Sequence, residues 1–376
     1  STDGPLAGYW NPAAVGREAP LNDGLMVPMG FDMALSGSGL EEAHNLSNLK
    51  NCGAPDCQAK IDGNLTRINA PGSGQRMNLD SGFHGRRGRW GAFAGQSIDI
   101  GGFPVADTVN TAPADISNNV NASRIVVRGR RVREIGVGYG RELPFAPGLF
   151  LGGNLKLLQA MTGHADFRLL RDDKNSLNMP DKIKEAAQYG WNAAADLGAL
   201  WDVARTFENA PWRTRLGLVA RNINNPSFRQ PAAAVAAGRP VRWTLNPQVR
   251  LGAAVGPTRW WNFAADLDLT RNLTLLDGVA SRRCGFGTEV NLVDHPRFNL
   301  PLRAGLSRDL EEPSAGTMLS LGFGLRAFNF NADLGLSVSR KNVTTEGLGT
   351  QNSIPRAAFP SLQMSLLFGT VSPNKS

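Results

Sequence analysis

The sequence predicts an all-β protein: a transmembrane antiparallel β-barrel of about 14 strands with an N-terminal plug segment and short loop helices. Apolar and polar residues alternate over stretches of ten to twelve residues, about twice the usual strand length of 5 to 6. Glycine is abundant, at 43 of 376 residues, and charged residues make up 19%, below the roughly 25% of soluble domains. Trp191, Trp212, Trp243, Trp260 and Trp261 stand at or beside the ends of such stretches, where membrane barrels carry aromatic girdles. A secreted β-sandwich also alternates, but its strands do not need this length.

Residues 1–24 are rich in proline and glycine, have no period, and form the expected plug segment. The barrel is expected over 25–370 and a C-terminal tail over 371–376. Leu25, Val27, Met29, Phe31, Met33 and Leu35 share the first apolar face, and two weaker strands follow near 76–84 and 88–100. Ile135, Val137 and Tyr139 mark the next strand, then Leu149, Leu151, Leu155 and Leu157 opposite Gly152, Asn154 and Lys156. WNAAADLGALWDV, at 191–203, sets Ala193, Leu197 and Trp201 against Asp196 and Asp202. The same period recurs from Leu216, Val249, Trp261, Phe286, Leu302, Leu319, Phe328 and Leu362. Short helices are expected over 36–51 and from Pro180-Asp181 within 172–190, and 226–240 is expected to be a loop with one helical turn. No run of about 18 apolar residues occurs, so no helix spans a bilayer. The chain starts at Ser1 without a signal-like segment, so any secretory signal is expected to have been removed already or never to have been present.

The polar faces carry Asp196, Asp202, Arg215, Arg250, Asp266, Asp268, Glu289, Arg303, Arg326 and Asp333, all expected to face the lumen. Opposite charges around one interior should pair, because lipid does not accept them. A structural network filling the lumen is therefore expected ahead of a selective ion pathway, with Asp196 and Asp202 seeking arginines. The net charge of +8 fits a basic rim facing lipopolysaccharide or anionic headgroups. Arg86-Arg87-Gly88-Arg89 and Arg128-Gly129-Arg130-Arg131 lack interleaved aromatics, so they read as solvated loops, and no nucleic-acid partner is expected. Cys52 and Cys57, in a Gly/Pro/Asp-rich turn, are candidates for a local disulfide, with free thiols as the alternative. Cys284 reads as a small hydrophobe on an apolar face. His44, His84, His164 and His295 form no ligand pair, and no phosphate loop or nucleophile elbow is present. The expectation is no metal, no cofactor and no enzyme activity.

The stretch GYWNPAAVG, with Asn11, Pro12 and Ala13, resembles the start of mature proteins of the long-chain fatty-acid transporter (FadL-like) superfamily. The order of WNAAADLGALWDV, a turn and TRLGLVARNINNPSF looks closer still to the conjugal-transfer TraF-like outer-membrane proteins. That likeness is carried by Arg221, Asn222, Asn225, Pro226 and Phe228. It implies a fourteen-stranded barrel in the bacterial outer membrane, in contact with lipid and lipopolysaccharide, with the plug inside. It further implies uptake or export of hydrophobic or small solutes, with plug movement letting a ligand through or sideways out of the wall. The alternative is a non-transporting scaffold or anchor, bound to other subunits of a secretion, conjugation or surface-appendage complex. GTVSPNKS follows the last aromatic, Phe368, whereas such barrels commonly end on the aromatic, so the tail is a candidate contact.

Overall fold

The computed structural model describes residues 4–17, 23–36, 42, 45–46, 48–49, 52, 55–69, 73–170, 187–207, 209–210, 212–275, 279–295, 297–312, 316–347 and 350–368. Its strands are β1 (Gly24–Ser36), β2 (Gly74–Arg87), β3 (Trp90–Val105), β4 (Arg124–Leu143), β5 (Ala146–Arg168), β6 (Gln188–Asp202) and β7 (Arg215–Arg221). Next come β8 (Ser227–Arg229), β9 (Arg242–Thr244), β10 (Gln248–Val255), β11 (Trp261–Asp268), β12 (Asn272–Leu273), β13 (Ala280–Ser281) and β14 (Arg283–His295). The last are β15 (Phe298–Asp309), β16 (Thr317–Ala327), β17 (Phe330–Ser339), β18 (Asn342–Gly347), β19 (Thr350–Pro355) and β20 (Ala357–Leu367). Fourteen of them close into one antiparallel barrel, β1-β2-β3-β4-β5-β6-β7-β10-β11-β14-β15-β16-β17-β20. Closure pairs β1 with β20 from Gly24↔Leu367 to Ala34↔Ala357, which removes both sheet edges. The remaining strands form three small hairpins, β8-β9, β12-β13 and β18-β19.

The alternation sorts side chains by face. Leu155, Leu197, Leu321 and Leu334 point outward and are 70%, 55%, 71% and 58% exposed. On the opposite face of the same strands Asn154, Lys156 and Asp196 are buried. A protein that leaves its leucines bare and buries its charges is built inside-out relative to a soluble domain. Exposed aromatics mark the belt's limits at Trp90, Trp191, Trp212 and Trp260. Trp243 departs from the expected girdle: it belongs to β9 and packs inside the barrel, because β8-β9 turns inward. Phe328, expected to begin a strand, sits in the turn before β17 with φ 52°.

The two ends differ. Connections at 88–89, 144–145, 256–260, 296–297 and 328–329 are short, and 203–214 holds the helix Val203–Thr206. Connections at the other end, 37–73, 106–123, 169–187, 222–247, 269–282, 310–316 and 340–356, are mostly long. In bacterial barrels the short turns face the periplasm and the long loops the exterior. Three long connections share one apolar cluster of Leu46, Cys57, Ile61, Leu65, Ile68, Ile116 and Leu170. Its centre is the helix Cys57–Ile68, where the sequence reading had only a turn; Cys57, Ile61, Leu65 and Ile68 carry the period of 3.6 that reveals it. The loop 226–240 holds the helix Ala232–Ala236. Most of the helix expected at 36–51, that from Pro180, and the tail 371–376 lie outside the described residues.

An outward leucine at mid-belt should reject charge. Leu321→Arg is expected to cost about 2–4 kcal/mol of stability in lipid vesicles, measured by urea unfolding, and far less in detergent micelles. Equal small losses in both media would mean that the face does not meet hydrocarbon.

Candidate functional site

The site is built where the N-terminal segment meets the polar face of the wall. Residues Ala7–Trp10 form one helical turn and Pro12–Gly16 a 3-10 turn. Between them Asn11 is the cap: its side-chain oxygen accepts from the Ala13 N–H at 3.1 Å, and Pro12 at the first helical position needs no partner for an N–H. The Asn11 amide donates to Ala199 O at 3.0 Å and Leu218 O at 3.4 Å, fastening the segment to the β6–β7 seam. Ala7, Ala13 and Ala14 pack on Phe150 and Leu200. Wall glycines make the approach possible, since a Cβ at Gly152 or Gly198 would meet Pro12 itself.

Charged wall residues grip the same segment. Arg86 donates to Val15 O at 2.9 Å and Arg17 O at 2.6 Å, and Arg17 pairs with Asp202 at 3.1 Å. Tyr9 stacks edge-on with His84 and Phe93, with ring centroids at 4.8 and 5.4 Å, and the Arg221 guanidinium lies 4.5 Å above its ring. Burial pushes the Tyr9 hydroxyl up to about 12, with Arg221 opposing, so it stays protonated at neutral pH.

Beneath Tyr9 lies a buried network. Lys156 Nζ is 2.8 Å from Asp196 Oδ1, with both side chains 1% exposed, and 3.7 Å from Glu134. Lys156 also donates to Asn222 Oδ1 at 3.0 Å. Asp196 accepts from the Asn222 N–H at 2.9 Å and the Asn154 amide at 3.3 Å. Asn154 in turn donates to Gly8 O at 3.0 Å. One continuous path therefore joins the N-terminal segment, through β5 and β6, to the bend after β7.

At that bend the chain leaves the wall. Asn222 and Asn225 have φ of 53° and 52°, the left-handed region that asparagine tolerates best after glycine. The Ile223 N–H donates to Ala195 O and the Ala195 N–H to Asn224 Oδ1, so β6 keeps partners where β7 has ended. Phe228 then packs on Leu158, Ala160 and Ala194. Trp243 stacks on Phe228 at 5.0 Å and donates to Thr162. The 222–247 connection thus folds into the long-loop end of the lumen, and Val279 beside β13 packs there on Phe103 and Val126. Between the two inserted segments is a cavity of about 510 Å³ with a charged lining, Asp80, Asp99, Arg130, Arg221, Arg250 and Arg283 among it.

The candidate charges fall as follows. Asp202 meets Arg17, with Arg215 across from it in register; Arg250 meets Asp268 at 2.6 Å. Arg303 reaches both Glu289 at 2.7 Å and Asp333 at 2.6 Å. Asp266 and Arg326 share the inward face and form no ion pair among the described residues. Asp196 does not take an arginine but Lys156, which sits closer because β5 and β6 are neighbours. The two arginine clusters are not solvated loops: strand alternation buries Arg86 and sends Arg130 to Asp99 at 2.9 Å. Cys52 and Cys57 are joined by a disulfide at the start of the helix Cys57–Ile68. Among the described residues no cluster of His, Cys, Asp and Glu is placed to hold a metal. Sequence reasoning missed Tyr9, Glu134, Asn154 and Lys156; a lysine between leucines on a glycine-rich polar face was the available signal.

The profile of the family described as "F plasmid transfer operon, TraF, protein" matches residues 9–268. The chain belongs to this family. The TraF-family match takes in the N-terminal segment from Tyr9 onward, the Lys156–Asp196 pair and the Asn222 bend. No curated protein matches the sequence. Among solved structures, the chain is similar to the toluene transporter TbuX of Ralstonia pickettii, at 14% identity and TM-score 0.50 over 97% of this chain and 94% of that one. It is similar also to the toluene transporter TodX of Pseudomonas putida, at 13% identity and TM-score 0.50 over 97% and 94%. A deltaS2S3 mutant of TodX, titled a monoaromatic hydrocarbon channel, aligns at 12% identity and TM-score 0.51 over 97% and 95%. These likenesses establish the shared barrel fold of the TraF-family chain.

Removing one partner of the buried pair leaves an uncompensated charge. Lys156→Met is expected to cost about 3–5 kcal/mol, measured by urea unfolding, whereas Lys156→Met with Asp196→Leu should recover most of that loss. A single variant that unfolds like the parent would show that the pair is not desolvated.

Proposed function

We propose that this chain is a bacterial outer-membrane channel for small solutes, with residues 1–24 as its plug. The observation that supports this most is the cavity of about 510 Å³ lying between two chain segments inserted in the barrel. A solute entering from the long-loop side passes the β8-β9 hairpin, rests in the chamber, and leaves when residues 4–17 move. The bare apolar belt and the two aromatic margins support placement in a membrane. The mostly long connections at one end support an outer-membrane orientation with that end outward.

The lining shapes the choice of solute. TodX and TbuX are toluene transporters by title. In this chain the chamber is lined by Asp80, by Asp99 paired with Arg130, and by Arg250 paired with Asp268, so a small polar solute meets charged and hydrogen-bonding groups along the wall. A hydrocarbon would displace water from these groups and offer them no hydrogen bonds in return. A second reading, a closed scaffold in a cell-envelope complex, is favoured by the pairing of Arg250–Asp268 and Arg303 with Glu289 and Asp333, which fills the lumen with mutually satisfied charge.

Reconstituted barrels separate the two readings. Deleting residues 4–17 is expected to raise the swelling rate of vesicles in glycine or small sugars by about tenfold or more over the intact chain, while toluene flux changes little. Heat-modifiable gel mobility reports that the deleted form is still a closed barrel. No added flux from a closed, plug-deleted barrel would overturn the channel reading and leave the scaffold.

A further inference from the structure

Strand alternation gives the outer wall an unusual charge pattern. Among the described residues, the outward positions of the fourteen barrel strands carry no acid, and their only cations are Arg87, Arg131, Arg133, Arg141 and Arg308. Arg87, Arg141 and Arg308 stand at or near strand ends. Arg131 and Arg133 lie within β4, on the face that continues through Ile135, Val137 and Tyr139. Neither makes an ion pair among the described residues. Two cations on a lipid-facing wall call for an anion that the described residues do not supply and that hydrocarbon cannot offer.

Register shows what surrounds them. Ser81, Gln96, Arg133, Gln159 and Trp191 lie opposite one another in turn across β2, β3, β4, β5 and β6. They form a polar row crossing a surface that is otherwise mostly apolar. Gln96 donates to Ser81 at 3.4 Å, so the row is already hydrogen-bonded on one flank. Met161 and Tyr189 are the register partners that continue from Arg131. Tyr189 and Trp191 are exposed, and exposed Tyr and Trp mark the headgroup level of a bilayer. Tyr139, tilted against Trp90 with centroids 4.8 Å apart, marks the opposite margin at the short-turn end. The arginines therefore stand toward the long-loop side of the belt, where their stems can lie on apolar surface while the guanidinium groups reach the headgroups.

We propose that Arg131 and Arg133, flanked by Gln96 and Gln159, bind the phosphate of a phosphorylated lipid in the leaflet on the long-loop side. Alternate residues of a strand stand about 7 Å apart, so two guanidinium groups can converge on one phosphate monoester from either side. Arginine is suited to this because its planar fork gives two parallel hydrogen bonds to phosphate oxygens. The amides of Gln96 and Gln159 supply further donors at the rim. The acyl chains of the same lipid would cover Ile135, Leu157 and Ala94, directly below the row in register. The site thus recognises both ends of one molecule, which a free phosphate does not offer.

The proposal rests on the membrane reading above, and its test keeps the two apart. The full chain, in phosphatidylcholine nanodiscs, is titrated with diphosphoryl lipid A and followed by native mass spectrometry. Arg131→Gln with Arg133→Gln is expected to weaken lipid A binding by about tenfold or more, while Arg141→Gln, at the opposite margin, leaves it unchanged. Heat-modifiable mobility of both variants shows whether the barrel is intact, and failure of the parent to enter nanodiscs would sink the membrane reading instead. Parental affinity in the double variant would overturn the site. Displacement of lipid A by millimolar inorganic phosphate would overturn the choice of a lipid as its occupant.

Discussion

A lysine and an aspartate buried side by side inside a barrel wall impose most of what the rest of the interior does. Neither charge tolerates isolation in a poorly solvated lumen, so Lys156 and Asp196 must be joined and their remaining hydrogen-bonding capacity filled. Glu134 stands near the lysine, Asn222 bonds both members, and Asn154 passes the aspartate's second oxygen on to Gly8. Each of these partners belongs to a different segment. The pair is thereby the point at which the wall, the N-terminal segment and the bend into the 222–247 connection are held together.

Glycine provides the complementary condition. The N-terminal segment can lie flat on the wall only because Gly140, Gly152 and Gly198 present no side chain where Pro12 and Gly16 pass. On the far side of the barrel, Gly322 and Gly324 on β16 leave room for Arg303 to cross that strand and reach Asp333 on β17. A glycine-rich polar face thus serves two ends: a snug seat for an inserted segment, and lanes for long cations. The outward face obeys the opposite rule, apolar nearly throughout, and this makes its arginine pair on β4 conspicuous.

The barrel itself was legible from alternation, because period two assigns each residue to a face and the strands are long enough for that sign to persist. The expected starts at Leu25, Ile135, Trp191, Leu319 and Leu362 all fall within barrel strands of the structure. The weak stretches 76–84 and 88–100 also became barrel strands, β2 and β3. What alternation does not contain is which charge meets which. Asp196 seeking an arginine was reasonable from abundance, but strand adjacency put Lys156 nearer. Nor does it register chain leaving the wall: Trp243 resembled a girdle residue, yet the left-handed turns at Asn222 and Asn225 carry its hairpin inward. The helix at Cys57–Ile68 was hidden by the Gly/Pro/Asp stretch before it, although its apolar residues kept helical spacing.

The central claim is that one buried network couples the N-terminal segment to the inserted 222–247 connection. Hydrogen–deuterium exchange on Asn154→Ala in lipid nanodiscs tests it most directly, since that substitution cuts the link to Gly8 while leaving Lys156 and Asp196 paired. The account predicts that peptides covering residues 6–16 and 223–245 gain exchange together, with the barrel strands β14 to β17 unaffected. Faster exchange at residues 6–16 alone, with 223–245 as protected as in the parent, would contradict it.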